Sequence, residues 1–261
     1  MLIDIGVNLT GSAFAHDLDA VISRAQQAGV AKMIVTGTDV SHSRMAVELD
    51  RQYPGVLYST AGIHPHHAVD CDDHSLHALQ QLAQHESVVA MGECGLDFNR
   101  NYSPADAQRR CFEAQLELAA DLGLPVFLHQ RDAHEDFVRI LQRWRDRLTG
   151  AVVHCFTGTE EEASAYLELD MYLGITGWIC DERRGTDLQQ AVRRVAEDRL
   201  MIETDAPYLL PRNLQPRPRD RRNEPMYLPH VCRTLAHFRD QDAQLIARAT
   251  TDNAIRFFNL G

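Results

Sequence analysis

Side chains that bind cations or move protons recur in this chain just after short apolar runs. AGIH ends in His64, with His66 and His67 beyond it; VVAMGE ends in Glu93, PVFLH in His129, AVVH in His154, and LMIETD in Asp205. Carboxylates and imidazoles are the side chains that hold divalent metals. A polar tip closing an apolar run must find a partner or bear the cost of desolvation. Two carboxylates sharing such a pocket repel each other unless a cation lies between them. If these run ends converge, they form a ring able to hold a divalent ion. The remaining histidines at His42, His74, His77, His85, His134, His230 and His237 fall in helical or loop patterns and read as solvated surface. Glu203 reads as a supporting carboxylate. Cys94 and Cys155, beside Glu93 and His154, read as packing residues because neighbours along a strand face opposite sides.

The elements between these positions supply the convergence. Apolar runs rich in Val, Ile and Leu alternate with segments of helical period from end to end, the pattern of a parallel sheet. The runs predict eight strands: Leu2–Val7, Lys32–Thr36, Val56–Ala61, Val88–Gly92, Pro125–His129, Ala151–His154, Met171–Ile175 and Leu200–Glu203. Helices are expected near 15–28, 41–52, 74–84, 104–122, 132–146, 159–168 and 185–196, with two more at 226–239 and 242–258. Ser103 as N-cap, Pro104 at the first helical position and Gly123 past the end frame the fourth helix. Eight strand–helix units in 261 residues predict an α/β (β/α)8 barrel, a TIM barrel, formed as a single domain over 1–261. The competing doubly wound sheet lacks GxGxxG after its first strand. In a barrel every strand's C-terminal end opens on one mouth, so the residues above would meet there. Pro207 to Pro229, after the eighth strand, is longer than an ordinary connection and is expected at that mouth.

Composition narrows the functional classes. The net charge of −11 argues against broad wrapping of nucleic acid, because phosphate binding draws affinity from Lys and Arg. Arginines do gather in PRNLQPRPRDRRNEP, at Arg212, Arg217, Arg219, Arg221 and Arg222. No apolar stretch approaches the roughly 20 residues of a membrane span, and the start MLIDIGVNL lacks the basic opening of a signal peptide, so a cytoplasmic protein is expected. Six scattered cysteines without CxxC read as reduced thiols.

At this point the chain resembles a known family. DIGVNL, GIHPH, GECGLDF, the run ending in His129, HCFTG, GITG, ETDAPYL and RRNEP occur in the order found in the TatD-family metal-dependent nucleases, over essentially the whole length. The resemblance implies a hydrolase, a 3′–5′ exonuclease on single-stranded DNA and also RNA, active in DNA repair or nucleic-acid turnover as a monomer. It implies metal ligation by Glu93, His129, His154 and Asp205, with His64 at the mouth and catalysis by Asp205, Glu93 and His64. Substrate contacts would come from His66, Arg222, Asn223 and Glu224: Arg222 gripping a phosphate, Asn223 bonding a ribose or phosphate oxygen, Glu224 bracing the arginine. Trp178 and Tyr208 are placed to stack a terminal base. The family's D-x-H-x-H opening is replaced here by Asp4, Gly6 and Asn8, which removes two imidazoles. The oxygen-richer set points to Mg²⁺ or Mn²⁺, while His₂Glu also suits Zn²⁺, and the number of ions stays open. A small-molecule amidohydrolase and a noncatalytic metal-binding scaffold are the rival readings.

Overall fold

The computed structural model describes residues 1–261. Its strands are β1 (Leu2–Val7), β2 (Val30–Val35), β3 (Leu57–Ala61), β4 (Val88–Asp97), β5 (Val126–Arg131), β6 (Ala151–Val153), β7 (Tyr172–Ile175) and β8 (Leu200–Ile202). Between and after them run α1 (Leu18–Gln27), α2 (Val40–Gln52), α3 (Asp73–Leu82), α4 (Ala105–Leu122), α5 (His134–Trp144), α6 (Glu160–Glu168), α7 (Thr186–Ala191), α8 (Leu228–Arg239) and α9 (Ala243–Phe258). The strands form one eight-stranded sheet in sequence order. Past the end of β8, Asp205 N donates to Gly6 O at 2.9 Å and Asn8 N to Ala206 O at 2.8 Å, bringing the last strand beside the first. That order with that closure is the (β/α)8 barrel. No helix is long and apolar enough to cross a membrane.

Two compact units make up the chain, one of Met1–Val35, Cys155–Leu167 and Tyr172–Gly261, the other of Thr36–His154 and Glu168–Met171. In the first, every residue of β1 is buried, including Asp4. Its carboxyl accepts from Thr204 N at 2.9 Å and Thr204 Oγ1 at 2.5 Å, yet burial pushes it up to about 8. In the second, β4 and β5 pair in parallel as far as Asp97 and Arg131, and Phe112 of α4 stacks on Phe137 of α5 with ring centroids 5.5 Å apart. Strands covered on both faces are continuous apolar runs, which is why they are easy to see in the sequence.

Two expectations need correction. β4 does not stop at Gly92: the glycines and cysteine of GECGLD suggest a loop, but the ladder with β5 carries the strand through Asp97. Glu93 therefore sits within a strand, as does His129, which is followed by Gln130 and Arg131 in β5. Ser103 does not cap α4 either; Pro104 occupies that position, and the Ser103 hydroxyl donates to His66 O at 2.9 Å. Gly123 ends α4 in the left-handed conformation, as its sequence position predicts.

Candidate metal centre

In the unit spanning Thr36–His154, three imidazoles point at one carboxylate oxygen. Glu93 Oε1 lies 2.9 Å from His129 Nδ1, 2.9 Å from His154 Nε2 and 3.4 Å from His64 Nε2. Glu93 comes from β4, His129 from β5, His154 from just past β6, and His64 from the start of the turn after β3. The ligand atoms of His64, Glu93 and His129 lie within 4.8 Å of one another.

Local sequence explains how a carboxylate reaches this position. Gly92 and Gly95 flank Glu93 on either side with φ of +134° and +145°. A Cβ at Gly92 would strike Phe127 O, and one at Gly95 would strike His129 O. Both glycines thus let β4 press against β5 and set Glu93 beside His129. Two glutamines of α4, seven residues apart on one helix face, hold the backbones around the centre. Gln115 accepts from Ile63 N at 2.7 Å and donates to Ile63 O at 3.0 Å, just ahead of His64. Gln108 accepts from Asp97 N at 2.8 Å and donates to Asp97 O at 3.0 Å.

Burial would raise the Glu93 carboxyl, but the facing imidazoles of His154 and His64 and the hydrogen bonds from His129 and His154 hold it well below the usual range. Burial pushes His64 down to about 4. Its Nδ1 accepts from His66 N at 3.1 Å, so the proton of the neutral ring sits on Nε2, toward Glu93. His129 moves the other way: burial lowers it, but the facing carboxylates of Asp97 and Glu93 win and raise it.

Asp97, which the sequence reading missed, is the second carboxylate of this centre. It is 2% exposed. Its Oδ2 lies 2.8 Å from His66 Nε2 and 3.4 Å from His129 Nε2, and its Oδ1 accepts from Asn99 N and Arg100 N at 3.0 and 2.8 Å. The usable signal was period: once β4 extends through GECGLD, Glu93 and Asp97 fall on the same face, four residues apart.

The donor chemistry fits a cation. His129 Nε2 is a buried nitrogen with no hydrogen-bond partner. If Nδ1 donates to Glu93, Nε2 presents a lone pair toward Asp97 Oδ2, and two electron-rich buried atoms at 3.4 Å call for a positive charge, whether proton or metal.

In the other unit, Asp205 sits past β8 with φ of +53°, and its Oδ1 accepts from Asn8 Nδ2 at 2.9 Å. Glu203 is fully buried and accepts from Cys155 N at 2.5 Å. Three residues expected to touch substrate are committed elsewhere. Asn223 is fully buried: Nδ2 donates to Thr204 O at 2.9 Å and Tyr208 O at 2.6 Å, and Oδ1 accepts from Glu224 N at 3.0 Å. It clamps the turn that carries Asp205 and offers nothing to a ribose or phosphate. Arg222 spends its terminal nitrogens on Ala13 O, both oxygens of Asp17, and Glu224 Oε1, at 2.7–2.8 Å. It is a tether between RRNEP and the segment before α1, with no terminal nitrogen left for a phosphate. Glu224 does brace that arginine, and it also binds Arg24 at 2.8 and 3.0 Å. Tyr208 is 61% exposed, whereas Trp178 is half-buried beneath the Arg184 guanidinium, 4.4 Å from its ring.

Comparison with known proteins agrees with this architecture. The family model described as TatD related DNase matches residues 3–259. A protein of Musicola paradisiaca named 3′-5′ ssDNA/RNA exonuclease TatD is 54% identical over 260 residues, covering 100% of this chain and 98% of its own. One of the same name from Erwinia tasmaniensis is 52% identical over 259 residues, covering 99% and 100%. Among solved structures, YJJV, a TatD homolog from Escherichia coli, superposes with a TM-score of 0.91 at 32% identity, over 100% of this chain and 98% of that one. The chain belongs to the family of TatD-related DNases.

Proposed function

We propose that this protein is a metal-dependent 3′–5′ exonuclease acting on single-stranded DNA and on RNA. The observation that carries the reading is the convergence of His64, His129 and His154 on Glu93, in a chain whose relatives bear that name. Glu93, His129 and His154 would hold the ion, with Asp205 as a further ligand or as acceptor of the attacking water's proton. The ion, when bound, supplies Lewis acidity toward a phosphoryl oxygen and acidifies water. Glu93 stays ionised to balance that charge. His64, neutral at physiological pH, orients a phosphate oxygen through its Nε2 proton. Asp97 fixes His66 and faces the second nitrogen of His129, the kind of outer support that keeps a ligating imidazole in place. Mg²⁺ is the proposed ion, with Mn²⁺ as substitute; Zn²⁺ is the rival that the imidazole donors favour. The enzyme is read as one domain, monomeric and cytoplasmic, serving DNA repair or nucleic-acid turnover.

The test is a 5′-labelled single strand incubated with purified protein and each metal. A ladder shortening from the 3′ end, abolished by chelator and by Glu93→Ala, is the expected result. Absence of product with every divalent ion would overturn the reading, as would activity surviving Glu93→Ala. Cleavage of circular single strands as fast as linear ones would overturn its end-directed part.

A further inference from the structure

Beside the candidate metal centre stands an aromatic ring that core packing does not explain. Tyr102 is 66% exposed, yet the loop presenting it is fixed on every side. Asp97 Oδ1 holds the amides of Asn99 and Arg100; Asn101, left-handed at φ 49°, donates to Phe98 O at 2.6 Å. On the other side Ser103 is fully buried, its hydroxyl accepting from Val69 N at 3.2 Å and its carbonyl accepting from Gln108 at 2.8 Å. The Tyr102 ring meets His66 at 4.7 Å, His66 meets His64 at 4.2 Å, and His64 meets His129 at 4.5 Å. A row of rings thus leads from Glu93 to solvent and ends in a phenol held rigid but uncovered. Immobilising an exposed aromatic in advance is what a stacking platform requires, since the ordering cost falls on folding rather than on binding.

The charges nearby match. Arg100 and Arg131 are both exposed, and neither guanidinium makes an ion pair or hydrogen bond within the protein, although most arginines of this acidic chain are paired. The loop carrying Arg100 is joined to the end of β5 by Phe98 N to Arg131 O at 2.9 Å and by Asn99 Nδ2 to Asp132 Oδ2 at 2.6 Å. The second bond occupies an oxygen of the adjacent carboxylate. A rigid exposed ring next to unpaired guanidinium groups is the combination that binds single-stranded nucleic acid, rings taking bases and cations taking phosphates.

We propose that Tyr102, Arg100 and Arg131 form a subsite for single-stranded nucleic acid, with one base stacked on the phenol and adjacent phosphates on the two guanidinium groups. The subsite rests on the single-strand reading given above. The test uses a fluorescent oligothymidylate with phosphorothioate linkages that resist cleavage, titrated by anisotropy against the metal-loaded protein. Tyr102→Ala should raise Kd by roughly 5- to 150-fold, the range for one stacked base, and Tyr102→Phe should restore affinity. Removing a single base from the strand at the matching position should cost the wild type the same factor and cost Tyr102→Ala nothing more. Arg100→Ala and Arg131→Ala should each lower the salt slope by about 0.7, the release expected from one single-strand phosphate. Unchanged affinity in Tyr102→Ala, or an equal abasic penalty in both proteins, would overturn the subsite alone. A wild type that binds the strand through Tyr102 but hydrolyses none would overturn the catalytic reading and leave the subsite standing. A wild type that does not bind would overturn the subsite, and one that also fails to cleave would overturn both.

Discussion

Substituting Asn223 separates two accounts of the RRNEP segment. As a substrate contact, Asn223→Ala would alter KM and leave stability within about 0.5 kcal/mol, as surface changes do. As the clamp seen here, it leaves three backbone groups without their partner: Thr204 O, Tyr208 O and Glu224 N. Each buried polar group left unsatisfied costs about 1–3 kcal/mol. Tyr208 O is only partly buried and can recruit water, so the expected total is about 2–5 kcal/mol. In a protein of this size that lowers Tm by roughly 5–15 °C.

The clamp also dictates a sign that a substrate contact would not. Asn223→Asp replaces the donor facing two carbonyl oxygens with an acceptor, so aspartate should destabilise more than alanine despite its closer shape. A residue that merely accepted from a ribose hydroxyl would tolerate aspartate. The clamped turn also contains the Tyr208 N to Asp205 O bond at 3.0 Å and is joined by Asn223 N to Pro207 O at 3.1 Å, so its loosening displaces Asp205. On the role proposed for Asp205, kcat should fall with stability, since a displacement of about 1 Å in a reacting group costs on the order of 10²-fold. Urea unfolding followed by circular dichroism, with kinetics on a labelled single strand, gives both readouts. An Asn223→Ala protein as stable as wild type, or an aspartate variant better than alanine, would refute the clamp.

Two further outcomes follow from the charge networks. Hydrogen bonds from Arg222 foremost, and then Arg24, hold Asp17 down at about 2 against burial, so its ionised form stabilises the fold above the ordinary carboxylate value and that contribution disappears as pH falls through 2. Arg222→Ala should therefore move acid unfolding to higher pH; an acid limb superimposable on wild type would show that the tether contributes nothing. His129 is raised above its ordinary value, so in metal-free protein it contributes stability below about pH 6.5 that is lost as pH rises through its folded value. Because proton and cation compete for that ring, metal affinity should weaken by up to about tenfold per unit as pH falls below that value, with proton release measurable by calorimetry in buffers of differing ionisation enthalpy. An affinity flat from about pH 5.5 to 8 would remove His129 from the ligand set.

What the sequence disclosed depended on whether a residue was anomalous for its surroundings. A histidine closing PVFLH or a glutamate inside VVAMGE contradicts the apolar run that carries it, and the contradiction is visible without coordinates. The barrel was equally legible, because strands covered on both faces cannot alternate and so appear as uninterrupted apolar runs. β4 was cut short because GECG carries glycines for close approach to β5, and close approach leaves the same mark in a sequence as a turn does.

Asn223, Arg222 and Asp97 failed to declare themselves for a different reason. Asn223 is paired with backbone carbonyls, which every residue possesses, so no sequence feature distinguishes a clamp from a substrate contact. Arg222 looked available because its partner Asp17 is 205 positions away. Its charge was already neutralised, whereas Arg100, in the loop after β4, and Arg131, at the end of β5, are among those left unpaired. In an acidic protein the number of arginines in a segment therefore says little about where phosphate can bind. The relevant quantity is which of them remain after the fold has assigned carboxylates to the rest, and Arg100 and Arg131, carried by the loop that presents Tyr102 and by the strand end bonded to that loop, belong to that remainder.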